Sequence, residues 1–437
     1  MGRAVLSLVT SSTTDFVSPR SAPAPAAASA TTRDPRLDFF RGIAMIIILF
    51  AHTPGNFFTS WIPARWGFSD ATEMFVFCSG MASAIAFGRT FERAGWGLGA
   101  ARVGFRCWQV YWAHIGMFFA IAALMVALNA FGPFERDYVG QLNLYPFFNG
   151  ITRGEVLASS TMDQMLGLLT LTYVPNYFDI LPMYLVILAM MPLVMALSRV
   201  SLWLTGAVVL TVWLFAQTQL LEALGVAHLA LSLPAEPWSD RQWFFNPFGW
   251  QLVFFTGFAL MMGWLPKPPV NKWLIAAAAV VVLANIPLSN IGVRAVNREW
   301  LGLAFEGNPV IDWRVANRIW ITKTDFGVLR YVQFLSLAYL AWVMVGEQGK
   351  HLIAKGSSLT ARVWDRLVRT LMKIGQQSLA VFVFSMILAR LNGFWLDQWG
   401  RDAAWHTVFV NLLGVALLVA VAYGVGWVKT QPWRVRR

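Results

Sequence analysis

Runs of roughly twenty apolar residues recur along this chain. That recurrence constrains the fold more than any other feature, because a helix needs about 20 mainly apolar residues to cross the hydrocarbon core of a bilayer. The runs are Phe39–Phe58, Ala71–Phe87, Cys107–Ala130, Leu181–Ser198, Leu202–Leu220, Phe248–Trp264, Trp273–Ile291, Leu329–Val345, Ile374–Phe394 and Trp405–Val428. Between the third and fourth lies an amphipathic or re-entrant candidate, Gln164–Tyr173. The pattern predicts an all-α polytopic membrane protein of about ten transmembrane helices. Charged residues make up 13% of the chain, about half the share usual in a water-soluble domain.

Charge placement orients the spans. With the amino terminus inside, 22 of the 34 Lys and Arg residues fall on the inner side, which also holds only 6 of the 22 acidic residues. This asymmetry satisfies the positive-inside rule and predicts that both termini are cytoplasmic, in an inner membrane. An odd number of spans would strand either Lys350–Lys373 or the basic end WRVRR on the wrong side. A net charge of +12 does not imply nucleic-acid binding here, because the basic residues alternate with apolar spans rather than covering one soluble face. Trp61, Trp66, Trp250, Trp264, Trp273 and Trp405 sit near span ends, as an interfacial belt does.

Three segments follow: a Ser/Thr/Ala/Pro-rich disordered tail over 1–35, a single transmembrane domain over 36–428, and a short basic tail over 429–437. Cys78 and Cys107 lie in or beside helices, so neither a structural disulfide nor a metal site is expected.

Ionisable residues inside spans are costly, roughly 3 kcal/mol or more, and point to function by default. In RLDFFRGIAMIIILFAH, Arg41 and His52 are eleven residues apart. At about 100° per residue they share a face within roughly 20°, about 16 Å apart along the axis, and Asp38 lies roughly 40° from His52. Alone, Arg41 reads as a snorkelling interfacial arginine and His52 as a packing histidine; together they form a stripe from an Asp/Arg entrance to a His deep in the span. In GFSDATEMFVFCSGMASAIAFG, the small residues Ser79, Gly80, Ala82, Ser83 and Ala84 favour close helix packing. The sequence leaves open whether Asp70 and Glu73, at the outer edge, face a polar cavity.

Arg102 and Arg106, one turn apart at an inner helix end, suit phosphate binding or simply mark topology. Tyr111 and His114, further along that helix, are candidates to line the same cavity as His52. Asp179 precedes Pro182 at the outer mouth of the fourth span, where it would cap the helix or orient a catalytic imidazole. Arg390 and Asn392 are weaker candidates of the same kind. In the outer loops, Arg294, Arg298, Arg314, Arg318 and Lys323 form a basic set expected to pair with Glu299, Glu306, Asp312 and Asp325.

Two chemistries fit a mid-membrane His between a basic inner entrance and an acidic outer mouth. One is acyl transfer from a cytoplasmic thioester, with the His as general base for an outer hydroxyl. The other is a proton-coupled transporter or exporter of a carbohydrate, which the lack of paired interrupted helices disfavours.

Arg41 followed after ten residues by His52 resembles the first-helix motif of the acyltransferase-three membrane family. FSDATEMFVFCSG resembles its second signature, RVGFRCWQVYW its Arg-rich third-helix entrance, and GQQSLAVFVFS a late helix that often ends in His, where this chain has Ser385. Within that family, RDPRLDFFRGIAM, GFSDATEMFVFCSGM and NYFDILPMYLVIL look most like OpgC-type periplasmic glucan succinyltransferases, over about Asp34 to Trp427. The resemblance implies an inner-membrane enzyme with membrane lipid around it. It would bind no cofactor, use succinyl-CoA as acyl-CoA co-substrate and accept a periplasmic glucan. His52 would be the catalytic base with Asp179 assisting, and Arg41 would position the donor or the His; Asp38, Arg102 and Arg106 are the further candidates for holding the donor. The thioester arm of the donor would thread along the Arg41–His52 stripe while its nucleotide stays inside.

Overall fold

The computed structural model describes residues 34–132, 136–153, 156–294, 308–401 and 404–434. The expected tail up to residue 33 lies outside the described residues, as do the last three residues and Arg298, Glu299 and Glu306.

Each apolar run is met by a helix. The principal ones are α1 (Pro35–His52), α2 (Ala71–Ser83), α3 (Arg89–Phe131), α4 (Thr161–Thr170), α5 (Ile180–Val200), α6 (Leu202–Phe215), α7 (Pro247–Met262), α8 (Lys272–Asn285), α9 (Val328–Val345), α10 (Leu359–Gln376), α11 (Ser378–Trp399) and α12 (Ala404–Lys429). Polar caps set many of their starts. The side chains of Asn246, Asn271 and Ser358 accept backbone N–H groups in the first turns of α7, α8 and α10, which removes orphan donors. The re-entrant candidate is α4, opened by a Ser160–Asp163 capping box.

Two local features depart from expectation. A small antiparallel hairpin, β1 (Ile151–Arg153) with β2 (Val156–Ser159), interrupts the all-α pattern. The stretch Arg89–Arg106, between the second and third apolar runs, is itself helical: α2 runs into α3 through a π turn at Ala84–Gly88, and the break falls at Gly95 with φ 84°.

The chain is a multi-pass membrane protein. Among the described residues five helical stretches are long and apolar enough to cross a bilayer: Ala71–Phe131, α5, α9, α11 and α12. The apolar helices α6, α7 and α8 are shorter; a helix of 14 residues, as in α6 and α8, rises only about 21 Å against a core of about 30 Å. α1 has the length, but Arg36, Asp38 and Arg41 crowd its first turns.

α1 packs along α10, α11 and α2; α2 packs on α7, α3 on α5, and α8 on α9. The small-residue patch of α2 works as packing surface, since a Cβ at Gly80 would collide with the backbone of Phe254 in α7.

Candidate functional site

A cavity of about 430 Å³ opens beside the C-terminal end of α1. Ile47, Ile48, Ala51 and His52 form one wall. The turns after α1 add Thr59 and Arg65, and the start of α2 adds Asp70 and Phe75. Asn176, Tyr177 and Asp179 come from the approach to α5, Phe244, Phe245, Asn290 and Lys323 from later connections, and Phe382 and Met386 from α11. Segments far apart in sequence therefore meet at one histidine.

His52 ends α1, and its Nδ1 lies 2.9 Å from the carbonyl oxygen of Ile48 one turn back. A carbonyl only accepts, so Nδ1 carries the proton and Nε2 keeps its lone pair. The edge of the imidazole meets the Tyr177 ring, centroids 5.4 Å apart at 78°. Tyr177 donates its hydroxyl to the Met386 carbonyl oxygen at 2.6 Å, and the Arg390 guanidinium lies 4.0 Å from the ring centroid.

Asp70 and Glu73 have divided roles. Asp70 caps α2 by accepting the Thr72 N–H at 2.6 Å, while its own N–H donates to Glu73 at 2.8 Å, a reciprocal capping box. Its carboxylate also pairs with Lys323, whose ammonium lies over the rings of Phe244 and Phe245. Burial opposes ionisation of Asp70, but Lys323 and Arg330 outweigh it and hold the carboxyl below the usual range. Glu73 is fully buried, outside the cavity, in a 2.5 Å ion pair with Arg330 of α9. Lys323 thus pairs across the fold rather than with the neighbouring Asp325, which accepts from Thr218 and Asn246.

Asp179 lines the cavity but does not cap α5. It stands at the N-cap of α5 without making a capping bond, and its Oδ1 is buried with no hydrogen-bond partner. Burial pushes its carboxyl up to about 8, against the pull of Arg241. The tautomer of His52 is set by the Ile48 carbonyl, so no carboxylate is needed for that task.

The remaining candidates lie elsewhere. Arg41 and Asp38 are buried at the other end of α1, where Arg41 donates to the Ser378 hydroxyl of α11; the α1 wall of the cavity begins only at Ile47. Arg102 is exposed, donates to the Thr90 hydroxyl at 2.6 Å and lies over Phe87. Arg106 donates to Gln109 at 3.1 Å. Tyr111 and His114 do not line the cavity. Tyr111 fastens α3 to α4 through the Leu169 carbonyl oxygen at 2.8 Å, and His114 is buried in α3 with neither ring nitrogen hydrogen-bonded. α3 packs on α5 and α11, and none of its residues lines the cavity.

The site adds Tyr177 and Lys323, with Arg390 behind the tyrosine. Only Arg390, an arginine inside an apolar run, carried an intrinsic signal. Comparison with curated proteins and with solved structures returns no match. A family profile described as OpgC protein matches residues 33–430, which takes in all twelve helices named above and every cavity residue, so the chain belongs to the OpgC family.

Proposed function

We propose that this chain is an inner-membrane O-acyltransferase that moves a succinyl group from cytoplasmic succinyl-CoA onto hydroxyls of a periplasmic glucan. Membership of the OpgC family supports modification of a periplasmic glucan. We further propose ten membrane-crossing segments with both termini inside, a topology supported by the 22 of 34 basic residues that it leaves on the inner side.

The observation that carries the reading is the His52 tautomer. With Nδ1–H donated to Ile48, Nε2 is the free base in a cavity wall. Nε2 takes the proton of a sugar hydroxyl while the hydroxyl oxygen attacks the thioester carbonyl carbon. The carbonyl oxygen becomes negative, collapse of the tetrahedral species breaks the C–S bond, and the imidazolium returns its proton to the leaving thiolate. General-base help of this kind is worth roughly 10² to 10⁴ in rate. Asp179, which lines the cavity and whose buried carboxyl favours the protonated form, acts as a hydrogen-bond donor to the developing oxyanion.

Arg41 binds the donor from the inner side. Between Arg41 and Ile47 the helix rises about 9 Å, and Ala44 and Met45 there are fully buried. The thioester arm therefore enters through a second arrangement of the contacts along that stretch.

The test is the ester content of periplasmic glucans from cells carrying wild type, His52→Ala or no copy. Ester only with wild type, at equal membrane levels of the variant, supports the proposal. Equal ester in all three, with glucan displaced between compartments, would replace it with transport.

A further inference from the structure

We infer that Tyr177, backed by Arg390, is a positioning residue that holds the His52 imidazole in its reactive orientation. The inference rests on His52 being the base.

Four observations converge on this tyrosine. Its backbone has φ 88°, a conformation that a bulky L-residue adopts only when its surroundings impose it. Its hydroxyl is tied to the Met386 carbonyl oxygen of α11 at 2.6 Å, which fixes the ring from the far end. One part of the ring meets the edge of His52, and the Arg390 guanidinium lies 4.0 Å from its centroid. Tyr177 and Asp179, two residues apart, both line the cavity, so the turn that forces the tyrosine also delivers the acid.

Arg390 strengthens the case. Its Nε is buried without a hydrogen bond, and no carboxylate pairs with it among the described residues. A cation inside an apolar helix is costly without a counter-ion, and the aromatic face is what it has been given instead. An interfacial arginine needing only solvent would turn outward. This one buttresses the ring that contacts His52. Since the His52 Nδ1 bond is to its own helix, it restrains the imidazole at one point only; the contact with the tyrosine ring supplies the second restraint.

The experiment compares purified full-length wild type with Tyr177→Phe, Tyr177→Leu, Arg390→Lys and Arg390→Gln in two assays. In acyl transfer, Tyr177→Leu and Arg390→Gln are expected to lower kcat by up to about 10²-fold with KM nearly unchanged, the scale of a misplaced catalytic group. Tyr177→Phe and Arg390→Lys, which keep the ring and the cation, should recover most of that loss. In the second assay, diethyl pyrocarbonate modifies the protein and mass spectrometry follows His52. Tyr177→Leu should speed modification severalfold over wild type, and Tyr177→Phe should not. If Tyr177→Leu is poorly folded, Arg390→Gln, which leaves the tyrosine in place, carries the test. Unchanged kcat and unchanged His52 modification in a folded variant would overturn the inference. A wild type that transfers no acyl group would instead defeat the proposed function, with the modification assay still deciding the positioning role.

Discussion

The two ends of α1 are built on opposite principles. At its C-terminal end the helix stops at His52, and the space beyond is a cavity whose charges are set by long-range pairs: Lys323 with Asp70, and Arg330 with Glu73 behind it. At the Arg41 end the helix is closely packed instead. Gly42 lies against the backbone of Leu371, Gly375 against that of Asp38, and Arg41 is bonded to Ser378. The same helix thus presents a base to open volume at one end and a sealed three-helix contact with α10 and α11 at the other. The cavity opens beside His52 while Arg41 is held against Ser378, so on the proposed reading a donor bound at Arg41 reaches His52 only through a second arrangement of that contact.

The largest effect that would break this contrast is at the His52 end. His52→Gln should lower transfer by roughly 10² to 10⁴ while leaving thermal unfolding in detergent nearly unchanged, because the side chain borders the cavity and its one bond is to its own helix. A large fall in Tm would mean that the histidine is a packing residue. Next comes the pair behind Asp70. Arg330→Met strands a buried Glu73 carboxylate and should cost about 3–5 kcal/mol, read as a lower unfolding midpoint. Adding Glu73→Gln to it should restore much of that loss, since the amide keeps an acceptor for the Asp70 N–H. Smaller again, Gly42→Leu at the Arg41 end drives a side chain into the Leu371 carbonyl and should cost about 1–3 kcal/mol. If that contact must open for the donor, this variant should also change the KM for donor more than that for acceptor; equal changes in both would argue that the contact has no part in donor entry.

How much of this was legible in the sequence follows from range. Apolar runs are local, so the helices were readable, as was the Arg41–His52 stripe along one helix. The Asp-x-x-Glu spacing of Asp70 and Glu73 is a local capping signature, although the same two acids also suggested a cavity, and one of them faces it. The pairs that organise the site are not local. Lys323 lies 253 residues from Asp70, and Met386 lies 209 residues from Tyr177. No periodicity reports such meetings, which is why Lys323 read as a partner for its neighbours and Tyr177 as one aromatic among many. Tyr111 and His114 had helical placement right, but neither lines the cavity, since the facing of α3 depends on its packing on α5 and α11.

The smallest effect separates two roles for Asp179. As a carboxylate orienting His52 it would lose its function in Asp179→Asn. As a neutral donor it would keep most of it, because the amide also donates from nearly the same place. Burial holds this carboxyl protonated up to about 8, and Ile48 already fixes the imidazole, so Asp179→Asn should retain transfer at pH 7 to within about tenfold, far above His52→Gln. Wild-type transfer should decline as pH rises through about 8, where the acid ionises, and the variant should lack that component. Stability carries the same sign. Between the ordinary carboxylate range and about 8 the folded chain holds a proton here that the unfolded chain has released, so wild-type stability falls as pH rises across that window. Asp179→Asn removes the dependence and should gain on wild type toward the alkaline side. An Asn variant as inactive as His52→Gln would return Asp179 to the role of a charged partner for the base.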